Sequence, residues 1–289
     1  MKSGGITRTG HAILAGNGEE GMKEKAYTRR RLSFLRRMSA ESYDLMPRGH
    51  SMTGLLEADV TSLRRRIREG KRRGESITLF ACLLKAVALS LKEYPGLNSM
   101  RAGRDVVLFH QVDINFPVEM EGEDGLFPRQ VILRDAANRT VGEIVREVEN
   151  ARLQFREEGH ASASERTLHR GAGCLLLLPR FLRRWILRGA MRSPEMVRRQ
   201  SGTTFVSSVT GFQRNGSFIL PYDSGPRAAA FLFGGISPKV VLERGIPEER
   251  EMLSLTVILN HDLVDGAPAA RFVRHLLRVL ENGEMLPPV

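Results

Sequence analysis

An α/β fold is what this sequence predicts, and three observations carry the expectation. Leu253 to Asn260 is β-branched and apolar, with the length of a buried strand, and the stretch from Ala267 to Glu281 carries Val273, Leu276, Leu277 and Leu280 at helical spacing. Leu79 to Glu93 is apolar on almost every side, the pattern of a helix that sits in a core. Strand-like runs and amphipathic helical runs share the rest of the chain. With 289 residues, 42% hydrophobic and 27% charged, there is enough chain for a substantial core and nothing unusual in its composition.

The elements follow in order. Met1 to about Ala26 is rich in Gly and polar residues and contains neither a secretory apolar region nor a spanning segment, so it reads as a disordered tail before one domain over residues 27–289. His50 to Ala58 reads as a strand. A helix then opens near Asp59 or Thr61, with Leu63 and Ile67 set among Arg64, Arg65, Arg66 and Arg68, and Lys71 to Gly74 makes a basic turn. The apolar helix begins after Thr78 and stops at Tyr94-Pro95-Gly96. Val106 to Val118 gives strands. Thr140-Val141-Gly142-Glu143 is a capping box, and the helix it starts carries Val141, Ile144, Val148 and Phe155 on one face.

Composition excludes more than it selects. The formal charge of +11 favours anionic partners: nucleic acid, a membrane surface or a phosphorylated cofactor. No nucleic-acid module is visible, and no aromatics are interleaved with the basic residues. Cys82 and Cys174 both lie in apolar surroundings and read as core thiols, which points to a reducing, cytoplasmic compartment. There is no H-E-x-x-H, P-loop or G-x-S-x-G signature, and no metal-ligand spacing. His11, His50, His110, His160, His169 and His275 read as surface or structural histidines.

His261-Asp262-Leu263-Val264-Asp265-Gly266 stands between the C-terminal strand and helix. A histidine at a strand end, on a turn closed by glycine, can project into a cleft, while Asp265 is placed to cap the helix from Ala267. By composition, H-x-x-x-D-G arises by accident in on the order of one chain in forty of this length, so its flanks decide its weight. With Ala267-Pro268-Ala269-Ala270-Arg271-Phe272 after it, the segment resembles the ending of the catalytic domain of dihydrolipoyl acyltransferases of 2-oxo acid dehydrogenase complexes. That family shares its fold with chloramphenicol acetyltransferase. The core helix through Leu97-Asn98 is similar to the family's most recognisable helix. Asp113-Ile114-Asn115, Asp124-Gly125-Leu126 with Arg134-Asp135-Ala136, and Ala228 to Gly235 also match, the second with shifted spacing at Phe127-Pro128-Arg129.

The resemblance implies a mixed, mostly antiparallel sheet with helices on one side. It implies a general-base histidine at His261 and an oxyanion-donating serine at Ser207, in a site shared between subunits of a homotrimer or a multiple of three. Gly202 to Gly211 has one more residue than the family's G-T-F-T-I-S-[NS]-L-G, so a slip of one hands the serine's role to Ser208. Tyr27 to Ser42 resembles the domain's opening, which places Arg31 as the salt-bridge partner of Asp265, a pairing suited to bidentate geometry. The chain departs from the family at Asn260-His261-Asp262, where relatives have D-H-R.

The implied activity is acyl transfer between a thioester carrier, coenzyme A or lipoyl-type, and an acceptor, with no covalently bound cofactor. Residues 1–26 are too short for a lipoyl domain, so a lipoylated carrier is expected on another chain. The alternative is a non-catalytic trimeric scaffold. Residues from about 159 to 200 read as an insertion: an Ala/Ser-rich linker, then a basic amphipathic helix. In that helix Leu178, Phe181, Leu182, Trp185, Ile186 and Gly189 fall at helical spacing, with Arg180, Arg183, Arg184, Arg188 and Arg192 elsewhere on the wheel. It is too short to span a bilayer. Residues 178–191 fit the wall of an acyl pocket or a core element, a membrane surface, or a partner protein.

Overall fold

The computed structural model describes residues 40, 49–122, 125–157, 178–212, 215–220 and 225–287. The 1–26 tail, Arg31, Cys174 and the linker that opens the insertion lie outside the described residues. The elements are β1 (Ser51–Asp59), α1 (Thr61–Arg72), α2 (Leu79–Glu93), β2 (Ser99–Ala102), β3 (Asp105–Leu108), β4 (Ile114–Gly122) and β5 (Gly125–Leu133). They continue with α3 (Val141–Glu157), α4 (Arg180–Arg192), α5 (Pro194–Ser201), β6 (Thr204–Ser208), β7 (Ala229–Glu243), β8 (Ile246–Asn260) and α6 (Gly266–Asn282).

Six strands form a sheet in the order β1-β8-β7-β6-β4-β5. The β1–β8, β8–β7 and β4–β5 pairs are antiparallel, and β6 runs parallel to both its neighbours. This is the mixed, mostly antiparallel sheet expected above. Register decides which face each side chain takes. Val206, Phe231, Phe233, Leu255, Val257 and Leu259 all point to one side, where they join Leu63, Leu84, Leu91, Ile144, Phe272 and Leu276 of the helices in one buried core. The opposite face has only a small cluster, Ala230, Leu232 and Ile258, with Phe205 and Ile219 packed against it.

Local signals act as their chemistry dictates. Thr78 accepts the Ala81 N–H at 3.2 Å to start α2, and Thr140 and Glu143 exchange the two bonds of a capping box at the start of α3. The reading of β8 is extended by the structure. Its apolar run is the buried half of a 15-residue strand, and the polar half pairs with β7 around Arg244-Gly245, both at positive φ, as a two-residue hairpin requires. Gly234 is needed for close approach: a Cβ there would lie 1.9 Å from the Ser217 carbonyl oxygen, because residues 215–220 cross the small-cluster face at this point.

Helix α4 corrects the expectation of a core element. Most of the side that the apolar spacing picks out faces away from the protein: Phe181 and Trp185 are each 75% exposed, Ile186 and Gly189 are exposed too, and Leu178 and Leu182 are half-buried. Arg183 is buried instead, with Leu187, Ala190 and Met191 half-buried. The reason is that α4 packs along α5 rather than over the sheet, so one flank suffices to hold it.

Candidate active site

At the end of β8 the backbone is held from several directions. Asn260, buried, donates its N–H to the Ala228 carbonyl at 2.9 Å, and its carbonyl accepts the N–H groups of Leu263 and Val264. Its side-chain oxygen accepts the Asp262 N–H at 2.9 Å. The His261 N–H donates to the His50 carbonyl at 2.6 Å. Polar groups at a strand end thus find partners within a tight turn. The His261 imidazole, about half exposed, makes no hydrogen bond among the described residues; its Nδ1 lies 3.9 Å from an Asp265 carboxylate oxygen, which is too far for one.

Asp265 occupies the N-cap position of α6 with extended backbone, and its carbonyl accepts the Ala269 N–H. Its side chain makes no capping bond. The carboxylate is 86% exposed, turned toward water and His261 rather than back over the first turn, so the capping expectation is corrected. Its expected partner Arg31 lies outside the described residues.

Asp262, read from the sequence only as a departure, is the anchor of the turn. His50 Nδ1 lies 2.9 Å from one of its carboxylate oxygens, and Arg101 donates to the other at 3.1 Å. The hydrogen bond from His50 is the largest effect; burial opposes it, and the smaller contribution of Arg101 helps hold this carboxyl below the usual range. His50 enters from the start of β1 and Arg101 from β2. An acid where the family carries arginine was the available signal, since it needs basic partners, but nothing local could say which.

The serine strand is positioned differently. Gly202 has φ +67, and a Cβ there would meet the Asp113 carbonyl oxygen at 2.5 Å. Asp113 and Thr203 exchange bonds: the Thr203 N–H donates to the Asp113 carbonyl at 2.7 Å, and the Asp113 N–H donates to Thr203 Oγ1 at 3.0 Å. The buried Asp113 carboxylate accepts from Arg134, Arg198 and the Asp135 N–H, each at 2.9 Å. Burial works to raise this carboxyl, but those three donors outweigh it and hold it below the usual range. Arg134 also donates to the carbonyls of Arg198 and Arg199 at the end of α5.

Ser208 and Ser207 then diverge. Ser208, on the core side, shares a 2.9 Å hydrogen bond with Thr210 Oγ1. The Ser207 hydroxyl, on the small-cluster face beside Leu232, makes no hydrogen bond among the described residues. That face also holds the buried polar atoms Asn115 Oδ1, Ser254 Oγ and Thr256 Oγ1, none with a partner among the described residues. Ser207 and His261 do not meet within one chain. Ser207 is level with Leu232 and, one strand further, Thr256, so His261 is two strands over and five residues along. At about 3.4 Å per residue and 4.8 Å per strand, that separation is roughly 20 Å.

Comparison with known proteins gives this arrangement its context. The family model described as 2-oxoacid dehydrogenases acyltransferase (catalytic domain) matches residues 20–166 and 188–287. The lipoamide acyltransferase component of the branched-chain alpha-keto acid dehydrogenase complex of Bacillus subtilis is 27% identical over 240 residues, covering 81% of this chain and 47% of that protein. The dihydrolipoyllysine-residue acetyltransferase component of pyruvate dehydrogenase complex from the same organism is 22% identical, covering 90% of this chain and 51% of that one. The chain therefore spans about half the length of the curated relatives it matches.

Two solved structures share the fold. A probable dihydrolipoamide acetyltransferase from Listeria monocytogenes has TM-score 0.62 and 21% identity, with 90% of this chain and 96% of that one covered. The cubic core of a pyruvate dehydrogenase multienzyme complex has TM-score 0.63 and 20% identity, with 93% and 98% covered. With the family model matching most of its length on both sides of a gap at 167–187, this chain belongs to the 2-oxoacid dehydrogenases acyltransferase (catalytic domain) family.

Proposed function

We propose that this protein is an acyltransferase that moves an acyl group between a thioester carrier, coenzyme A or a lipoyl-type thiol, and an acceptor. The observation that carries the reading is the half-exposed imidazole of His261, without a hydrogen bond among the described residues, on a turn whose backbone and Asp262 side chain are tied down. With Nδ1 on the Asp265 side, Nε2 is the nitrogen that faces an acceptor. It takes the proton from the acceptor's thiol or hydroxyl as that group attacks the thioester carbonyl. The tetrahedral oxyanion accepts a hydrogen bond from a serine hydroxyl, then collapses and expels the carrier thiolate, which recovers the proton from the imidazolium. No acyl-enzyme is needed.

Ser207 is the proposed oxyanion donor, because its hydroxyl is uncommitted while that of Ser208 is engaged with Thr210. The roughly 20 Å between Ser207 and His261 in one chain supports a site completed by a second subunit, hence a trimer or a multiple of three. The reducing, cytoplasmic setting expected from the cysteines belongs to the same proposal; the buried Cys82 thiol, pushed up to about 12 by desolvation, takes no part in the chemistry. Thiol release from a panel of acyl-coenzyme A donors tests the reading. Turnover in the wild type that is lost in His261→Ala is the expected result. A trimer without turnover against any donor or acceptor would assign the chain to the scaffold alternative.

A further inference from the structure

Helix α4 carries a row of side chains that the fold leaves uncovered. Phe181, Trp185, Arg188 and Arg192 follow at spacings of four, three and four residues, which stacks them along one side of a helix. All four are exposed, while the opposite side packs through Arg183, Leu187, Ala190 and Met191. The helix has five arginines and no acidic residue. Two large aromatics held in water forgo burial, and the exposed Arg188 and Arg192, with no ion pair among the described residues, add to the chain's own positive field. Phe181 and Trp185 fall in the stretch that the family model passes over, while Arg188 and Arg192 lie within the matched part.

We propose that α4 docks the protein on an anionic lipid bilayer, lying flat in the interface. Phe181 and Trp185 enter the headgroup–acyl boundary, while Arg188 and Arg192 pair with lipid phosphates. A helix of 13 residues is about 20 Å long, and no described helix is long and apolar enough to cross a membrane, so the geometry is peripheral. Charge selects this occupant over a second copy of the chain. A symmetric contact through this face would bring two arginine helices together, whereas anionic headgroups complement both the helix and the net charge of +11. Nothing in this docking depends on the acyl-transfer chemistry.

Trp185 is the chain's only tryptophan, so its emission reports on this helix alone. The full chain is titrated with phosphatidylcholine vesicles, with and without phosphatidylglycerol, and co-sedimentation is measured in parallel. The expected result is a blue shift and capture with the anionic vesicles only. Phe181→Ser with Trp185→Ser abolishes capture, and Arg188→Gln with Arg192→Gln weakens it on the order of twenty-five-fold, about fivefold per arginine. Circular dichroism and unchanged thiol release show that the variants are folded.

Four outcomes overturn the proposal. Equal capture by neutral vesicles, or no shift with either kind, removes the anionic bilayer as partner. Dissociation of the wild-type assembly by Phe181→Ser with Trp185→Ser, read by light scattering without vesicles, makes the row an interface between copies. An altered acyl-chain preference with unaltered vesicle capture gives the helix to the acyl site.

Discussion

The two strand ends that carry the proposed chemistry are held by different means. After β8, the turn bearing His261 hangs on a carboxylate near the surface, Asp262, tied to the exposed His50 and Arg101. Before β6, the strand bearing Ser207 hangs on a carboxylate with no exposure, Asp113, between two guanidinium groups and a backbone N–H. Water reaches the Asp262 carboxylate but not that of Asp113, so the two-donor arrangement at the surface is worth little and the three-donor arrangement around the buried carboxylate more. The turn is adjustable and the strand is part of the fold. Activity and stability should therefore come apart on mutation, in a way specific to each end.

The largest effect is expected at the adjustable end, from the group that nothing else ties down. His261→Ala should lower kcat by about 10²–10⁴, the usual worth of a general base, and leave the melting temperature unchanged, since the ring makes no hydrogen bond. Full acyl transfer by this variant would remove His261 from the mechanism.

Next comes Asp113→Asn, which should act on the fold. It leaves Arg134 and Arg198 facing a neutral group, and both guanidinium groups are two-fifths exposed. The loss is accordingly about 3 kcal/mol, the lower end for breaking a buried pair, read as a melting temperature lower by roughly 6–12 °C. Because the folded-state pKa of Asp113 is depressed, its contribution is present above the unfolded value of about 3.9 and is lost as pH falls through the folded one. Acid should thus destabilise the wild type more steeply than Asp113→Asn below about pH 4. Parallel acid profiles would break the contrast between the two ends.

Ser207→Ala should cost on the order of 10²–10³ in kcat with little change in KM, as loss of an oxyanion donor does. Ser208→Ala should cost less, because that hydroxyl serves Thr210. The reverse order in the steady-state kinetics would mean that the register is read one residue off.

How much of this the sequence could show follows from what each feature depends on. The strand-turn-helix at His261, the capping box at Thr140 and the apolar α2 rest on local periodicity and neighbours, and all three stand in the structure. The Asp262 anchor joins residues 212 and 161 positions apart, so no local pattern could find His50 or Arg101. The Asp113 network was legible only as a motif, since its partners come from the end of β5 and from α5. In α4 the periodicity was right, and of the readings it left open the core element is the one the structure corrects. Spacing identifies an apolar side, but only packing decides whether that side turns inward, and α4 is held by its other flank.

The smallest effects separate the two aspartates of the His261 turn. Asp262→Asn keeps the shape of the side chain and removes its charge, so the bonds from His50 and Arg101 weaken without a buried cost. Stability should fall by less than about 1 kcal/mol, while kcat drops because the His261 turn loosens. Raising the ionic strength should bring the wild type toward the variant. Arg101→Gln combined with Asp262→Asn should be no worse than Asp262→Asn alone, the non-additivity expected of a direct pair. Asp265→Ala sharpens the point from the other side. With no capping bond and 86% exposure, Asp265 forfeits the roughly 1 kcal/mol an N-cap side chain supplies, so whatever the substitution costs must come from the expected pair with Arg31. If Asp265→Ala and Arg31→Gln each lower the melting temperature and together lower it no further, the pair exists; if Asp265→Ala is silent, the turn rests on Asp262 alone.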